Sequence, residues 1–525
     1  MKNFTSPVQK GTGVSPSSLL HSRRTNARFY GAELKSQVQI DSWQGSGVVA
    51  FGGEGNFLPL VLRWKCGLER SDSRTPRQFR RAWGVFGPAM LPIAMSKNYH
   101  SEMNCSSSAR RRQLESLSRS ELEVHQLSRL NGLLDRVLPA NRFYQAKLGD
   151  VSRPIRSLEE FRQLPLTEKD ELASADCDIA ANHTWPVEKY LRYHRTSGTK
   201  GKPMVVLDTL ADWQWWIDTW QFVLDAAQIK ESDRVAMAFS FGPFVGFWSA
   251  HDAIASRGAL LIPCGGMDTI GRLDVIQSAK ATVICSTPTY AMRLAEVAEE
   301  NQIDLANSSV NRIIVAGEPG GNIPAVRKRI ESAWGARVID HCGATEVGPW
   351  GYADSGNRGL RIVESEFIAE FISVDTRQPA RDGELSRLVL TTLGRAGCPV
   401  IRYQTGDLVR PRWDTETENR FVLLEGGVLG RSDDMMIIRG VNVFPSSVEQ
   451  ILRTFPSVVE YRMTATKSGQ MDALYIEVED DQNDSQQIAK ELKLRLGLSV
   501  AVRNVEAGTL PRFEAKGKRF VDKRS

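Results

Sequence analysis

Apolar residues recur through the middle of the chain in short, nearly continuous runs. Five such runs, RVAMAFS, ALLIPC, ATVICST, NRIIVAG and RVIDHCG, lie between residues 234 and 343. The segments between them, for example TYAMRLAEVAEE and IPAVRKRIESAW, space their apolar positions as an amphipathic helix does. This alternation of buried strands with helices predicts an α/β fold with a mostly parallel sheet that helices cover on both faces.

The pattern differs on either side of this region. Upstream, leucines from Leu114 onwards form a helical stripe, and residues 208–224 predict a helix whose Trp213, Trp216 and Trp220 form a buried face. From Glu366 the segments EFIAEFISV, ELSRLVLTTL, VIRYQTGDLVR and RFVLLE predict a β-barrel-like subdomain. Beyond residue 430, strands alternate with SSVEQILRTF and QQIAKELKLRL, which predicts a small α+β domain.

These changes divide the chain into three parts: residues 1–112, a core domain at 113–430, and a C-terminal lid domain at 431–525. The first part has neither helical nor strand periodicity and is rich in Ser, Gly and Arg, which favours a disordered tail. A translation start at Met95 or Met103, or a transit peptide, are the alternatives.

Composition limits the class of protein. Residues 1–112 carry 17 Lys and Arg against 6 Asp and Glu, whereas the remainder carries 50 against 56. The predicted folded body is therefore mildly acidic and offers no basic surface for nucleic acid. The 7 cysteines are scattered without a CxxC pair, which argues for reduced thiols in the cytoplasm and against a zinc site. No run approaches the length of a membrane span.

One loop has the composition of an anion-binding site. The segment HRTSGTKGKP at residues 194–203 lies between the strand-like runs YLRY and MVVL. Its glycines allow close approach of backbone to an anion, while hydroxyls, N–H groups and lysines supply hydrogen bonds and charge. The spacing differs from a Walker loop, so a solvated basic hairpin is the alternative at this point.

The same loop is followed by five further motifs in a fixed order. They are GEP at 317–319, HCGATE at 341–346, RYQTGD at 402–407, GRSDD at 430–434 and PRFEAKGKR at 511–519. From about residue 125 to the C-terminus, this series resembles the adenylate-forming superfamily, and within it the phenylacetate–coenzyme A ligase branch. The resemblance implies a large core domain and a mobile C-terminal lid.

The resemblance also implies an ATP site. The loop at 194–203 would hold the β- and γ-phosphates, although its hydroxyls could instead satisfy the turn's own backbone. Glu346 would hold Mg²⁺, which favours one or two carboxylates, and Thr345 would reach the α-phosphate. Asp407 and Arg431 would contact the ribose, and Asp340 the adenine amine, unless Asp340 caps a helix instead. The implied nucleotide-binding residues are Thr196, Ser197, Gly198, Thr199, Lys202, Gly317, Glu318, Pro319, Asp340, Asp407 and Arg431.

The lid would carry the catalytic cation. By resemblance, Lys516 would bridge the substrate carboxylate and the α-phosphate, with Lys518 as the competing candidate because Ala515 stands where the family usually has glycine. Asp433 would be the hinge about which the lid rotates. Arg439 and Gly440 would then face the side on which the thioester forms.

The acid itself is predicted to bind among aromatic residues. Phe239, Phe241 and Phe244 could form a wall against which a small aryl acid stacks, although ordinary core packing is the alternative. Gly242 and Gly343 would leave room for the acid. His341 could contact the substrate carboxylate or thiol, or be a plain hydrogen-bonded histidine.

Together these features predict an ATP-dependent ligase that adenylates an aryl or arylacetic acid and transfers it to coenzyme A. Its cofactors and partners would be ATP, Mg²⁺, coenzyme A and a small carboxylic acid, with no nucleic acid or membrane. Two alternatives remain: an enzyme that loads the phosphopantetheine of a carrier protein, and an inactive nucleotide-binding relative. The oligomeric state stays open, with a homodimer as one alternative.

Overall fold

The computed structural model describes residues 42–43, 46–47, 107–173, 179–196, 203–413, 417–432, 434–439, 441–468, 471–513 and 519–524. The chain divides into two compact units, Met1–Ala94 and Met95–Ser525. In the first unit, β1 (Ser42–Trp43) and β2 (Ser46–Gly47) pair antiparallel. All other elements belong to the second unit.

The helices of the second unit fall into three groups: five before the anion-binding loop, five around the large sheet and two in the C-terminal domain. They are α1 (Ser108–Glu115), α2 (Arg119–Val137), α3 (Arg142–Leu148), α4 (Leu158–Arg162), α5 (Lys169–Leu172), α6 (Leu210–Ala226), α7 (Trp248–Ser256), α8 (Thr269–Ser278), α9 (Pro288–Glu300), α10 (Pro324–Trp334), α11 (Pro445–Leu452) and α12 (Ser485–Leu496).

The strands of the second unit form five sheets. They are β3 (Arg192–Arg195), β4 (Val205–Asp208), β5 (Arg234–Met237), β6 (Leu260–Pro263), β7 (Val283–Ser286), β8 (Arg312–Val315), β9 (Arg337–Ala344), β10 (Gly348–Ala353), β11 (Gly359–Ile362), β12 (Phe367–Ser373), β13 (Ser386–Thr392), β14 (Tyr403–Val409), β15 (Pro411–Arg412), β16 (Leu423–Glu425), β17 (Gly430–Arg431), β18 (Met436–Ile438), β19 (Val441–Val443), β20 (Val458–Ser468), β21 (Met471–Asp480), β22 (Ala501–Asn504) and β23 (Phe520–Asp522).

The large sheet has nine strands in the order β15-β16-β11-β10-β9-β8-β7-β5-β6. The five runs that the sequence predicts as buried strands are β5 to β9, and all of them pair in parallel. For β6 the predicted burial was wrong, because β6 is the edge strand and Leu260 on it is 57% exposed. From β9 onwards the pairing becomes antiparallel, because β10 returns through a short turn. The predicted α/β fold with a mostly parallel sheet is thus confirmed, and β9 is the strand where the two pairing modes meet.

Three of the four segments predicted for the β subdomain form β12, β13 and β14, which join β17 in a four-stranded antiparallel sheet. The prediction was wrong for RFVLLE, whose strand β16 pairs with β11 and β15 in the large sheet. Beyond the β subdomain, the hairpin β18–β19, helices α11 and α12, and the sheet β22-β21-β20-β23 form the predicted C-terminal α+β domain. The boundary near residue 431 stays a prediction. Among the described residues, no helix has the length and apolar character needed to cross a bilayer.

The N-terminal limit of the folded body differs from the prediction. Helix α1 begins at Ser108, capped by the Ser107 hydroxyl, so residues 107–112 are not part of a tail. Arg111 is buried, and its Nε lies 2.6 Å from Oδ2 of Asp225 at the end of α6. This long-range ion pair gives the arginine-rich stretch a structural role that charge composition could not indicate.

Candidate active site

The GEP turn follows β8 at the carboxyl edge of the parallel strands, where ligands of open α/β sheets bind. Gly317 has a φ of +93°, which side-chain-bearing residues rarely adopt. Oε1 of Glu318 accepts a hydrogen bond of 2.8 Å from the backbone N–H of Thr289 in the first turn of α9. Pro319 is exposed. The turn is therefore fixed to α9 while its backbone stays accessible.

Asp340 lies on β9 beside this turn. A Cβ at Gly321 would lie 2.5 Å from Cγ of Asp340, so only glycine fits there. The carboxylate accepts hydrogen bonds from Nδ2 of Asn322 and, at 3.1 Å, from the backbone N–H of His341. Loss of hydration outweighs these bonds and raises the pKa of Asp340 to about 7.

The side chains of β9 lie alternately in two different environments. Successive side chains of a strand point to opposite faces. Asp340 and Cys342 share one face, on which the charges of Asp407 and Asp340 add to burial in raising the pKa of the Cys342 thiol. His341, on the other face, packs against Trp220 of α6, with ring centroids 4.2 Å apart. The strand thus divides a carboxylate-lined side from an aromatic side.

Thr345 and Glu346 occupy the turn between β9 and β10. Oε1 of Glu346 accepts a hydrogen bond of 3.0 Å from the hydroxyl of Tyr403 and lies 3.5 Å from Nζ of Lys169. Burial and the charge of Glu346 both raise the pKa of Tyr403. A carboxylate that is only 11% exposed is therefore held by a neutral phenol and a lysine.

Asp407 and Arg431 are directly opposed partners on β14 and β17. Nη1 of Arg431 lies 3.2 Å from Oδ1 of Asp407, and the backbone N–H of Asp407 donates to Oγ1 of Thr405. Asp407 lies on the same strand, β14, as Tyr403, which binds Glu346. The strand therefore links the two predicted site carboxylates.

The neck of the anion-binding loop is formed by β3 and β4, which pair antiparallel from Arg192 opposite Asp208 to Arg195 opposite Val205. Thr196 closes the neck: its N–H donates to the carbonyl of Met204, and its Oγ1 accepts from the N–H of Met204 at 3.0 Å. Its hydroxyl thus satisfies local backbone, as the alternative interpretation predicted. Ser197, Gly198, Thr199 and Lys202 lie outside the described residues.

Sequence reasoning missed a buried pair that joins this loop to the Thr345 turn. Arg395 is fully buried; its Nε donates to Oδ1 of Asp208 at 2.7 Å and its Nη1 to the carbonyl of Thr345 at 2.9 Å. Burial alone would raise the pKa of Asp208, yet the charge of Arg395 leaves it below its ordinary value. No sequence signal marks Arg395, because its partners are distant along the chain.

An aromatic band runs from His341 to the predicted acid-binding wall. Consecutive rings approach within 4.2 to 6.4 Å between centroids, which is the range of favourable aromatic contacts. The band consists of His341, Trp220, Phe247, Phe239, Phe241 and Trp248. Trp220 was predicted only as part of a buried face; all three predicted tryptophans are buried, and Trp220 also contacts a site residue.

Gly242 and Phe244 lie at the open end of this band. A Cβ on Gly242 would lie 2.7 Å from Cζ of Phe244, so the phenyl ring covers the glycine. Phe244 is 47% exposed, whereas the Gly242 carbonyl accepts a hydrogen bond of 3.0 Å from Nε1 of Trp248. Phe244 is thus at the rim of the band and Phe241 within it.

Several predicted lid residues, namely Lys516, Asp433 and Gly440, lie outside the described residues. Arg439 is exposed in the turn between β18 and β19, with a φ of +51°. Arg519 is buried: Nε and Nη2 bind the carboxylate of Glu460, and Nη1 lies 3.2 Å from Oγ1 of Thr289. Because Thr289 also binds Glu318, the C-terminal domain meets the core beside the GEP turn.

Comparison with known proteins accounts for this arrangement. Residues 169–365 match the family model of AMP-binding enzymes, and residues 440–524 match the AMP-binding enzyme C-terminal domain. The phenylacetate-coenzyme A ligase of Aromatoleum evansii is 33% identical over 78% of this chain and 96% of its own length. That of Thermus thermophilus is 30% identical over 78% of this chain and 99% of its own.

A solved relative has the same fold. The structure of 2-hydroxyisobutyryl-CoA ligase in the postadenylation state with 2-HIB-AMP has a TM-score of 0.74 and 25% identity, covering 81% of this chain and 96% of that one. The same ligase with coenzyme A in the thioesterification state scores 0.60, at 25% identity over 81% and 95% of the two chains. The chain therefore belongs to the AMP-binding enzymes. Within them it is an adenylating acid–thiol ligase, an AMP-forming acyl-CoA ligase.

Proposed function

We propose that the protein activates a phenylacetate-like aryl or arylacetic acid with ATP and transfers the acyl group to coenzyme A. The observation that carries the proposal is the hydrogen bond that joins Glu346, in the turn that contains Thr345, to Tyr403 on β14, the strand that carries Asp407. The aromatic band on the opposite face of β9 supports an aryl acid, and the phenylacetate–coenzyme A ligases among the relatives support the same class.

In the first half-reaction, an oxygen of the acid attacks the α-phosphorus of ATP, and pyrophosphate leaves. Anionic groups then meet at one centre, so the protein must supply cations and hydrogen-bond donors there. We assign this role to Thr345, to Lys516 and to the loop containing Thr196, Ser197, Gly198, Thr199 and Lys202. Asp407 with Arg431 would hold the ribose, and Asp340 would hold the adenine amine beside Gly317, Glu318 and Pro319.

Glu346 would be the ligand of Mg²⁺. Magnesium takes few protein carboxylates and keeps waters and phosphate oxygens. A single carboxylate beside a phosphate site, with one oxygen bound to Tyr403, fits that pattern. Among the described residues, no group of three or more metal-binding side chains forms a cage. When bound, the ion would neutralise charge on the phosphates.

In the second half-reaction, the coenzyme A sulfur attacks the acyl carbonyl and AMP leaves. Rotation of the lid about Asp433 would withdraw Lys516 and bring Arg439 and Gly440 towards the thiol. Phe241, Gly242, Phe244, His341 and Gly343 would surround the acyl group in both steps.

The test is acid-dependent exchange of labelled pyrophosphate into ATP, followed by thioester formation with coenzyme A. Phenylacetate and related aryl acids should support both, and Glu346→Gln should lower exchange by about a hundredfold or more, the usual effect of removing a group that stabilises charge. Glu425→Gln, on an exposed glutamate of β16, is the matched control and should leave exchange unchanged.

Other outcomes would overturn the proposal. If pyrophosphate exchange occurs but the acyl group is transferred only to a carrier-protein phosphopantetheine, the acceptor is the carrier protein and not coenzyme A. Absence of exchange with any carboxylic acid would indicate an inactive nucleotide-binding relative.

A further inference from the structure

The imidazole of His341 is buried, with 7% exposure, and its orientation is fixed from two directions. Nδ1 lies 2.7 Å from the carbonyl oxygen of Gly351 on the neighbouring strand β10. Trp220 packs against one face of the ring, at 4.2 Å between centroids and 50° between planes. The ring therefore cannot turn without losing both contacts.

These contacts assign the proton of the ring. A carbonyl oxygen only accepts hydrogen bonds, so the proton of the neutral imidazole is on Nδ1 and Nε2 has a free lone pair. Burial also lowers the pKa of His341 to about 4, which keeps the ring neutral at physiological pH. Nε2 is consequently a hydrogen-bond acceptor.

Gly343 keeps this acceptor reachable. A Cβ at position 343 would lie 3.3 Å from Nε2 of His341 and 3.0 Å from the carbonyl oxygen of Gly348, so any side chain would crowd the lone pair. Within the described part of the chain, no group donates a hydrogen bond to Nε2. The absence of a side chain at Gly343 therefore leaves space beside this acceptor.

The band of rings connects His341 to the proposed acid-binding wall. Trp220 contacts Phe247, Phe247 contacts Phe239, and Phe239 contacts Phe241. Nε2 is therefore a polar point on an otherwise apolar and aromatic side of β9. Ligand-binding sites in general hold the body of the ligand through apolar contact and fix its orientation through a few polar groups.

We propose that Nε2 of His341 is a specificity-determining acceptor, and that the preferred substrate is an aryl acid that carries a hydroxyl or N–H donor. This inference rests on the proposed function. A substrate donor would satisfy the acceptor that the bound acid covers, whereas a methyl group of similar size would bury it unpaired. His341 thus selects among aryl acids by their substituents.

The experiment compares ortho-, meta- and para-hydroxyphenylacetate with the corresponding methyl compounds and with phenylacetate. Pyrophosphate exchange gives kcat/KM for each acid. In the unaltered protein, one hydroxyl isomer should exceed its methyl partner by roughly five- to a hundredfold, the effect of leaving one buried polar group unpaired.

Two variants of His341 test whether Nε2 causes this preference for a hydroxyl compound. His341→Phe keeps an aromatic ring against Trp220 but has no acceptor, so the preference should disappear while the methyl compounds remain substrates. His341→Gln places an amide oxygen near the position of Nε2 and should restore part of the preference. Circular dichroism and the melting temperature of each variant check that the fold is retained.

The outcomes separate this inference from the proposed function. If aryl acids support exchange without preference for a donor, or if the preference persists in His341→Phe, the inference is overturned and the proposed function stands. The inference is also overturned if His341→Phe slows only thioester formation, since His341 would then act on the thiol. Absence of exchange with every aryl acid would contradict the proposed function and the inference together.

Discussion

At the scale of single residues, two neighbours on β9 are neutralised by the same cause. Loss of hydration disfavours the charged form of any ionisable group. It raises the pKa of Asp340 to about 7 and lowers that of His341 to about 4. Between these values both side chains are uncharged, one on the carboxylate-lined side of the strand and the other on the aromatic side.

Asp340 makes stability depend on pH. From its ordinary pKa of 3.8 up to about 7, the unfolded chain has lost the proton while the folded protein keeps it. The folded state then binds more protons, so the free energy of unfolding falls as pH rises through this window and is constant above it. Asp340→Asn removes this dependence. The free energy of unfolding of the variant, measured against that of the unaltered protein, should therefore rise by on the order of 4 kcal/mol as the pH is raised from about 4 to 8.

Urea unfolding at several pH values measures this difference. Asp135→Asn, which changes a carboxylate on α2 that is 70% exposed, is the control and should follow the unaltered protein. A pH-independent difference for Asp340→Asn would show that the carboxyl group does not titrate in this window.

At the scale of elements, Arg395 connects segments that lie far apart in sequence. Its guanidinium bonds to Asp208 at the end of β4 and to the carbonyl of Thr345 after β9. The neck of the anion-binding loop and the Thr345 turn are therefore held at a fixed separation. Such positioning matters for a reaction in which two anionic groups must be aligned.

Removal of Arg395 should be strongly destabilising. Arg395→Met leaves Asp208 as a buried charge without its main partner, so we expect a loss of about 3–5 kcal/mol in the free energy of unfolding. The combined Arg395→Met and Asp208→Asn variant should recover part of this loss. Because the Thr345 turn is then released, it should still show a raised KM for ATP.

The control for this prediction is Arg412→Met on β15. Arg412 is likewise paired with carboxylates, those of Asp382 and Glu425, but all three side chains are 42% to 55% exposed. Surface pairs of this kind contribute about 0–1 kcal/mol. Equal losses for the two arginine variants in urea unfolding would contradict the role given to burial.

At the scale of the whole molecule, the C-terminal domain meets the core through Arg519. Its guanidinium is held by Glu460 within the C-terminal domain and bonds to Thr289 at the start of α9. The fold is more similar to the postadenylation state of the solved relative than to its thioesterification state, with TM-scores of 0.74 and 0.60. The contact between Arg519 and Thr289 belongs to this arrangement.

Thr289→Val tests what this contact does. The change removes one hydroxyl that crosses between the domains and keeps the pairing of Arg519 with Glu460. If the lid rotates as proposed, pyrophosphate exchange should slow by roughly ten- to a hundredfold, since a hydrogen bond to a charged group contributes about 1.5–3 kcal/mol. Thioester formation from supplied acyl-adenylate should be unaffected.

Thr454→Val is the matched control, because among the described residues the Thr454 hydroxyl bonds only to the carbonyl of Ile451, within the C-terminal domain. It should leave both half-reactions unchanged. Equal slowing of both half-reactions by Thr289→Val would show that the contact does not distinguish the two arrangements of the lid.

The sequence by itself determined the class of fold and the order of the motifs. The positions of strands β5 to β9 were predictable because each is a short, continuous apolar run between helical segments. The tryptophan stripe of α6 was predicted to be buried for its helical spacing, and it is buried.

Only the tertiary structure decided which side chains meet. Tyr403 binds Glu346 across 57 residues of chain, and Arg395 binds Asp208 across 187. Trp220 reaches His341 from another element, and residues 107–112 join the body through the ion pair of Arg111. Periodicity reports which face of an element is buried, but the partner on that face depends on how distant segments pack together.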